Sequence, residues 1–423
     1  MNAIGPSSIA QAVSCVDGYD PDALRVDKAA EAIRACLSPI VESERVPVRD
    51  ALGRVLAQDI VPAINVPGHD NSAMDGFAIR SSDVKSEEFH LNQIGTALAG
   101  KPFAGAVGAG ECVRIMTGAV MPKGADAVVV QEVCRAQGDR VAIPPGQKAG
   151  QNVRAAGEDL KAGVPVLEPG RALGAADLGL IASLGLGELR VKRRLRVAFF
   201  STGDELASIG APLQEGQVYD SNRYTLHGML ARLGVEIQDL GVVRDDPEAL
   251  EAAFRKAAAG ADAIITTGGV SVGEADFVKQ LMAKLGEVLF WKIAMRPGRP
   301  MAFGRIGNAF LFGLPGNPVA VMVTFYQFVR EALLHLSGRT GPGVPRLSAL
   351  SAQPIRKVAG RTEYQRGIVF DDGGVWKVRT TGQQGSGVLR SMSEANCFIV
   401  LEHDRGNVQP GEPVQVQLFE GLT

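Results

Sequence analysis

LRVAFFSTGDE, residues 195–205, is the stretch on which the fold turns. Arg196 to Phe200 is strand-like and runs straight into the glycine-containing turn Ser201-Thr202-Gly203-Asp204-Glu205. A regular alternation follows: helix Asn222 to Leu233, strand Val235 to Val243, helix Pro247 to Ala259, strand Ala263 to Thr267 and helix Phe277 to Leu285. Leu289 to Ala294, a hairpin-like pair at Pro300 to Phe303 and Ala309 to Gly313, and an apolar helix from Pro318 to Leu336 complete it. Strands alternating with helices predict βαβ units, hence an open α/β domain over 195–341 with a parallel sheet covered by helices.

Upstream, Ala30, Ile33 and Leu37 fall at helical spacing in a helix from Asp27 to Leu37, which Pro39 ends. A second pattern spans Val48 to Ile60, and Pro62, Pro67 and Gly68 then mark a domain edge. Short strand signals at Phe89 to Leu91, Cys112 to Met116, Ala127 to Gln131 and Arg140 to Ile143 predict a β-rich domain over 63–147. The stretch 148–194, with a helix near Ala175 to Leu184, reads as a connecting domain that the N-terminal segment 1–62 completes discontinuously. Downstream, a Gly- and Pro-rich linker reaches Pro345. Strands Gly367 to Phe370, Val375 to Arg379, Cys397 to Leu401 and Pro413 to Leu418 then predict a C-terminal β-barrel or sandwich over 342–423. The fold class is α/β plus β, multidomain.

Composition narrows the function classes. The 423 residues carry 44 Lys+Arg and 46 Asp+Glu, a formal charge of −2, which argues against a dedicated nucleic-acid binder. Cys15, Cys36, Cys112, Cys134 and Cys397 form no C-x-x-C pair, so neither a disulfide framework nor a zinc site is expected. Met1 to Asp22 lacks the basic start and apolar stretch of a signal peptide, and runs such as Ala320 to Val323 are too short to span a bilayer. A cytoplasmic protein with no membrane association is the expectation.

In open α/β sheets ligands bind beyond the carboxyl ends of the strands. Three loops there are unusual: Ser201 to Glu205, Gly268 to Asp276 with Gly269 second, and Leu314-Pro315-Gly316-Asn317-Pro318. Glycines let backbone N–H groups approach an anion and a following helix N-terminus adds a favourable dipole, which suits phosphate, although each loop alone also reads as a turn. Asn317 with Pro318, Asp246 with Pro247, and Asp276 read as helix caps, whereas Asp245 has no capping role. Trp291 to Arg299 holds three cations and no acid. In an extended chain Lys292 and Arg296 would share a face and aim at one anion; the alternative is a charge-protected strand edge. Asp70 to Ala78, Thr117 in Arg114 to Gly118, and Arg154 ahead of Gly157-Glu158-Asp159 are dense in polar groups. No Ser-His-Asp order, H-E-x-x-H or Walker A lysine is present, and the five histidines do not cluster in sequence.

The runs DNSAMDGFA, RIMTGAVMPKGADAVVVQE, GEDL, FSTGDEL, YDSNR, TTGGVSVGEAD, FWKIAMRPGRPMAFG, GLPGNPVAV, YQRG, TTGQQGSG and CFIVLEHDRGNV are collinear from about Asp70 to Val408. Together they resemble bacterial molybdopterin molybdenumtransferase, the MoeA family, and the C-terminal part of gephyrin. The resemblance implies a homodimer with a discontinuous connecting domain, a β-rich domain, an α/β pterin-binding domain and a terminal barrel. It implies insertion of molybdenum from molybdate into adenylylated molybdopterin with release of AMP, and molybdopterin adenylyltransferase as pathway partner. Carried onto this sequence, the functional positions are Asp75, Thr117, Arg154, Asp159, Glu205, Asp245, Asp276, Lys292, Pro315, Pro318, Arg366 and Ser386. Gly268, Gly269, Arg296 and Arg299 join them from the loop and charge readings. Where the family commonly has Lys-Pro-Gly-Lys-Pro, this chain has Arg296-Pro297-Gly298-Arg299-Pro300, exchanging point charges for planar, bidentate donors.

Both substrates are anionic. Lys292, Arg296, Arg299 and Arg366, with Ser386 as hydroxyl donor, are expected to hold them. Carboxylates beside anions call for a cation, so Mg²⁺ is expected on Glu205, Asp245 and Asp276, bridging to phosphate oxygens. Two other readings stay open: an adenylyltransferase acting on molybdopterin itself, and a scaffold that binds a partner protein through the terminal barrel.

Overall fold

The computed structural model describes residues 8–14, 16, 20, 22–268, 276–341 and 343–419, without the side chains of 11, 12, 14 and 276–279. Gly269, the loop to residue 275, the side chain of Asp276, and Cys15 therefore lie outside the described residues. The chain forms two compact units, one of residues 1–44, 53–55 and 192–423, the other of 45–52 and 56–191.

The first unit is built on a six-stranded sheet ordered Glu236–Val243, Arg196–Thr202, Ala263–Thr267, Ala309–Leu314, Pro300–Ile306, Gly286–Lys292. The first four strands are parallel and the last two antiparallel. The expected parallel sheet thus gains an antiparallel edge, because the short connection Gly307–Asn308 between two strands leaves no room for a crossover. Side chains alternate between two cores: Val197, Phe199 and Ile265 face one, Ala198, Phe200 and Ile264 the other. Burial on both faces explains why the strands read as unbroken apolar runs. Each of the Val, Ile and Phe side chains contributes about 1.5–3 kcal/mol when fully buried.

Helices cover both faces. Pro247–Ala258 places Leu250, Phe254 and Ala257 on one, and Asp246 caps it through the amides of Glu248 and Ala249, as its sequence suggests. On the other face lie Ser221–Arg232, Val26–Cys36 and the run Pro318–Leu336, which contains a π-helical turn at Phe325–Val329. Pro318–Leu336 has the length and hydropathy of a bilayer span, but most of it is buried, with Val319, Val321, Phe325 and Phe328 in the core. The N-terminal helix joins this core through Ala29, Ala32 and Ile33, so residues 1–44 pack with 192–423, whereas the sequence grouping put them with 148–194.

The C-terminal strands close a five-stranded barrel: Thr362–Asp372 pairs with Val375–Thr380 and Cys397–Leu401, and Leu347–Ser351 and Pro413–Leu418 complete the ring. This decides for barrel over sandwich. Tyr326 of the long helix packs on Phe398 and Phe419 with ring centroids 5.7 and 5.6 Å away, tying the barrel to the α/β sheet. A second tie is the short parallel pairing of Met295–Arg296 with Thr362–Glu363.

The second unit holds a six-stranded sheet ordered Ala127–Val130, Gly76–Ile79, Glu111–Ile115, Phe89–Ala97, Arg140–Ile143, Arg135–Gln137. Beside it, helix Ala175–Ser183 packs in a core with Leu56, Ile60, Leu167 and Val191. The pattern at 48–60 becomes a 3₁₀ turn at Val48–Asp50 and isolated bridges at Leu56 and Ile60. Among the described residues Cys36, Cys112, Cys134 and Cys397 are free thiols, all raised to about 11 or 12 by burial.

Candidate active site

In the first unit a cavity of about 460 Å³ is lined by Arg296, Arg299 and Arg361 together with Pro315, Asn317, Gln384 and Ser386. Among the described residues no carboxylate lines it, and three guanidinium groups give it positive potential. Its wall is built by the segment that leaves the sheet at Lys292, crosses to the barrel at Met295–Arg296 and returns at Pro300. Gly298 makes that return possible. Its φ is +100° and a Cβ there would sit 2.6 Å from Thr324 Oγ1 on the long helix. The opposite wall is fixed where the Val319 amide donates to the Ser386 carbonyl at 3.0 Å. Asn317 stands at the helix N-cap with Pro318 as first helical residue, but its side chain makes no capping bond and lines the cavity instead.

Arg366 has a different place from the one expected. It is 1% exposed, its Nε donates to Ser391 Oγ at 3.0 Å, and its Nη2 donates to the Gly385 carbonyl at 3.0 Å. Its amide also donates to Gln384 Oε1 at 2.8 Å. These bonds hold the loop that carries Ser386, and Arg366 also lines an adjoining cavity of about 280 Å³ with Arg296 and Glu363. Burial, and secondarily Arg296, pushes its guanidinium down to about 10, so it stays charged at neutral pH.

Lys292 and Arg296 do not share one extended strand. Lys292 ends a strand of the α/β sheet opposite Pro300, while Arg296 pairs with the barrel, and the chain bends between them. Lys292 Nζ donates to Asp22 Oδ1 at 2.7 Å, and Arg296 approaches Glu363 at 3.9 Å.

At the carboxyl ends of the parallel strands, the Asp245 amide reaches Asp204 Oδ1 at 3.4 Å, bringing the Glu205 and Asp245 loops side by side. Gly268 has φ +87°, and a Cβ there would lie 2.4 Å from the Thr202 carbonyl. Its amide donates to the Leu314 carbonyl at 3.2 Å, so this glycine serves close strand packing and its N–H is not offered to phosphate. Nearby, Asn222 Nδ2 donates to the Gly316 carbonyl at 2.7 Å, and among the described residues the buried Asn222 Oδ1 and Thr202 Oγ1 have no hydrogen-bond partner. Asp220, which caps the helix Ser221–Arg232 through the Arg223 amide, likewise keeps Oδ2 unpartnered. Unsatisfied buried oxygens at a strand-end loop cluster are the chemistry a ligand or cation would complete.

Among the described residues no three His, Cys, Asp or Glu side chains form a closed metal cage. Glu205 and Asp245 stand exposed on adjoining loops, hard oxygen donors of the type a divalent cation takes.

In the second unit, the Thr117 amide and hydroxyl both donate to Asp75 Oδ1 at 2.7 Å, and these two bonds hold its carboxyl below the usual range. Asn71 pairs with Arg154, and the Ala156 amide donates to Asp70 Oδ1 at 2.8 Å. The polar loop at 70–75 is thereby pinned between the Thr117 and Arg154 segments. Asp159 lies next to them, its amide on the Val66 carbonyl, with its side chain exposed.

Three family models match the chain in order: the MoeA N-terminal region (domain I and II) over residues 24–185, the probable molybdopterin binding domain over 198–335, and the MoeA C-terminal region (domain IV) over 348–419. A molybdopterin molybdenumtransferase of Haemophilus influenzae is 44% identical over 402 residues, covering 94% of this chain and 99% of that one. The chain belongs to the MoeA family.

A molybdopterin molybdenumtransferase of Nostoc sp. is 36% identical over 385 residues, covering 89% of this chain and 88% of its own. The crystal structure of a molybdopterin biosynthesis MoeA protein from Pyrococcus horikoshii superposes with a TM-score of 0.83 at 29% identity, covering 94% of this chain and all of that one. This MoeA-family member is accordingly a transferase of molybdenum cofactor biosynthesis. Its anion cavity contains three residues that the sequence did not single out as ligands: Arg361, Gln384 and the uncapped side chain of Asn317. Gln384 and Asn317 lie in the family-like runs TTGQQGSG and GLPGNPVAV, so motif membership was a usable signal. Arg361, in a polar turn just ahead of YQRG, offered none.

Proposed function

We propose that the protein inserts molybdenum from molybdate into the dithiolene of adenylylated molybdopterin and releases AMP, acting in the cytoplasm as a homodimer. The observation that carries this reading is the cavity walled by Arg296, Arg299 and Arg361, a set of planar donors suited to a tetrahedral oxyanion. Ser386 supplies a hydroxyl to the same anion, and Arg366 keeps the Ser386 loop in position. Lys292 adds positive charge at the rim.

The pterin nucleotide is assigned to the strand-end loops, where Glu205 and Asp245, with Asp276, would hold Mg²⁺. When bound there, Mg²⁺ supplies charge neutralisation and polarisation of the phosphate oxygens. Release of AMP requires breaking the anhydride link between the two phosphates, with the elements of water added. In the second unit, Asp75, oriented by Thr117, together with Arg154 and Asp159, makes up the remaining polar set that the family resemblance singles out. Molybdopterin adenylyltransferase would supply the substrate.

The test is to incubate the purified protein with adenylylated molybdopterin, Mg²⁺ and molybdate and to follow AMP. Molybdate-dependent AMP release is expected; an intact pterin nucleotide after prolonged incubation refutes the reading.

A further inference from the structure

Among the described residues the anion cavity has no carboxylate in its lining, yet one carboxylate from a distant part of the chain pairs with Lys292, which stands opposite the cavity-lining Pro300. The segment around Leu24 runs as a parallel bridge beside Ile293: the Leu24 amide donates to the Lys292 carbonyl at 3.2 Å, and the Ala294 amide to the Leu24 carbonyl at 2.7 Å. Leu24 is fully buried in the core, so this attachment is firm. It delivers Asp22 to Lys292, Oδ1 to Nζ, at 2.7 Å.

Arg299 is the second cation within reach. The Ile293 amide donates to the Arg299 carbonyl at 2.7 Å and Lys292 pairs with Pro300, which puts Arg299 at the start of the returning segment, next to Lys292. The Asp22 carboxyl lies below its ordinary range chiefly through the Lys292 hydrogen bond and charge, with a further contribution from Arg299. Glu363, near Arg296, offers a contrast. Its side chain is 9% exposed and belongs to a barrel strand, whereas that of Asp22 is 74% exposed and free to swing away from its backbone anchor.

We propose that Asp22 is a tethered competitor at the oxyanion site: its carboxylate occupies Lys292 in the free protein and is displaced when a tetrahedral oxyanion arrives. Exposed ion pairs are weak, so the competitor is readily displaced and its cost to affinity is modest. A tether of two residues from Leu24 keeps it at high effective concentration and returns it to Lys292 once the anion leaves. Asp22 is therefore a determinant of oxyanion affinity that acts through Lys292. It takes no part in the reaction itself. The inference rests on the assignment of this cavity to the oxyanion.

The experiment measures binding of molybdate and of perrhenate, a monoanion of the same shape, by calorimetry on the full chain. Asp22→Asn is expected to tighten both by one common factor of about two- to sixfold, because a displaced competitor weakens every ligand equally. Asp22→Glu, which keeps the carboxylate, is expected to bind like the wild type. In a Lys292→Gln background the factor is expected to vanish. Turnover with Asp22→Asn is expected to show a lower KM for molybdate at unchanged kcat. Unchanged or weaker binding by Asp22→Asn overturns the proposal. So does a factor for molybdate that is the square of that for perrhenate, since a carboxylate that stays in place repels a dianion twice as strongly. Absence of molybdate binding in wild type and variant alike overturns the oxyanion assignment with it.

Discussion

Truncating Arg366 separates two ways in which this cation could serve the anion site. Its Nε bond to Ser391 and its Nη2 bond to Gly385 are charge-assisted and buried. Bonds of this type are worth about 1.5–3 kcal/mol each, so Arg366→Ala loses about 3–6 kcal/mol. Against this stands the cost of burying the guanidinium, visible in the fall of its pKa from 12.5 to about 10 and equivalent to about 3 kcal/mol. The net destabilisation is about 0–3 kcal/mol. At about 2–4 °C per kcal/mol, the melting transition of the unit carrying the barrel should drop by at most about 12 °C. The binding effect should be larger, because the Gly385 carbonyl loses its anchor and Ser386 leaves its place: molybdate Kd rises about tenfold or more. Arg366→Lys sharpens the distinction. A lysine keeps the positive charge but cannot span Ser391 and Gly385 with a planar fork, so it too should lose affinity. Differential scanning calorimetry and molybdate titration of the three proteins read these effects. Wild-type melting and wild-type affinity in Arg366→Ala would refute the positioning role, and full affinity in Arg366→Lys would show that charge alone matters.

Other consequences are as concrete. Gly268→Ala places a Cβ 2.4 Å from the Thr202 carbonyl at a φ of +87°, and should cost about 1–3 kcal/mol in denaturant unfolding. Thr117→Ala removes one of two bonds to Asp75 Oδ1, so NMR titration should find the Asp75 pKa moved up toward the ordinary carboxylate range. Asp262 is subject to burial, which raises its pKa, but the two Arg193 bonds at 2.7 and 2.8 Å and the Arg196 amide outweigh it and hold it below 3.8. Its folded pKa is thus depressed: the stability it contributes is present above the unfolded value of about 3.9 and is lost as pH falls through the folded value. Asp262→Asn should flatten that part of the acid-unfolding curve while lowering stability at pH 7. Arg361→Ala should weaken molybdate binding about tenfold without moving the melting temperature, since its side chain is exposed.

The α/β strands and the cap at Asp246 were readable from sequence because their causes are local: apolar periodicity, a cap residue, a proline at the first helical position. The polar turns that carry Asp75 and Thr117 were readable separately, and the bond between them was not. Burial and long-range pairing were not readable. Lys292 and Arg296 look like neighbours on one extended strand, and part only because Met295–Arg296 pairs with a barrel strand more than sixty residues downstream. Arg366 reads as a ligand by charge, and only the closed barrel shows that its guanidinium also holds the loop of Gly385. Asp22 lies in a featureless N-terminal stretch, and its link to Lys292 depends on a contact 270 residues apart. Likewise, a glycine at 268 suggests a phosphate-facing amide until the Leu314 carbonyl is found accepting from it.

The central claim is that the cavity walled by Arg296, Arg299 and Arg361 receives the metal oxyanion. Anomalous X-ray diffraction at the molybdenum edge, from crystals grown with molybdate, tests it most directly. An anomalous peak is expected within hydrogen-bonding reach of these guanidinium groups and of Ser386. A molybdenum peak elsewhere in a catalytically competent protein, with this cavity empty, would contradict it.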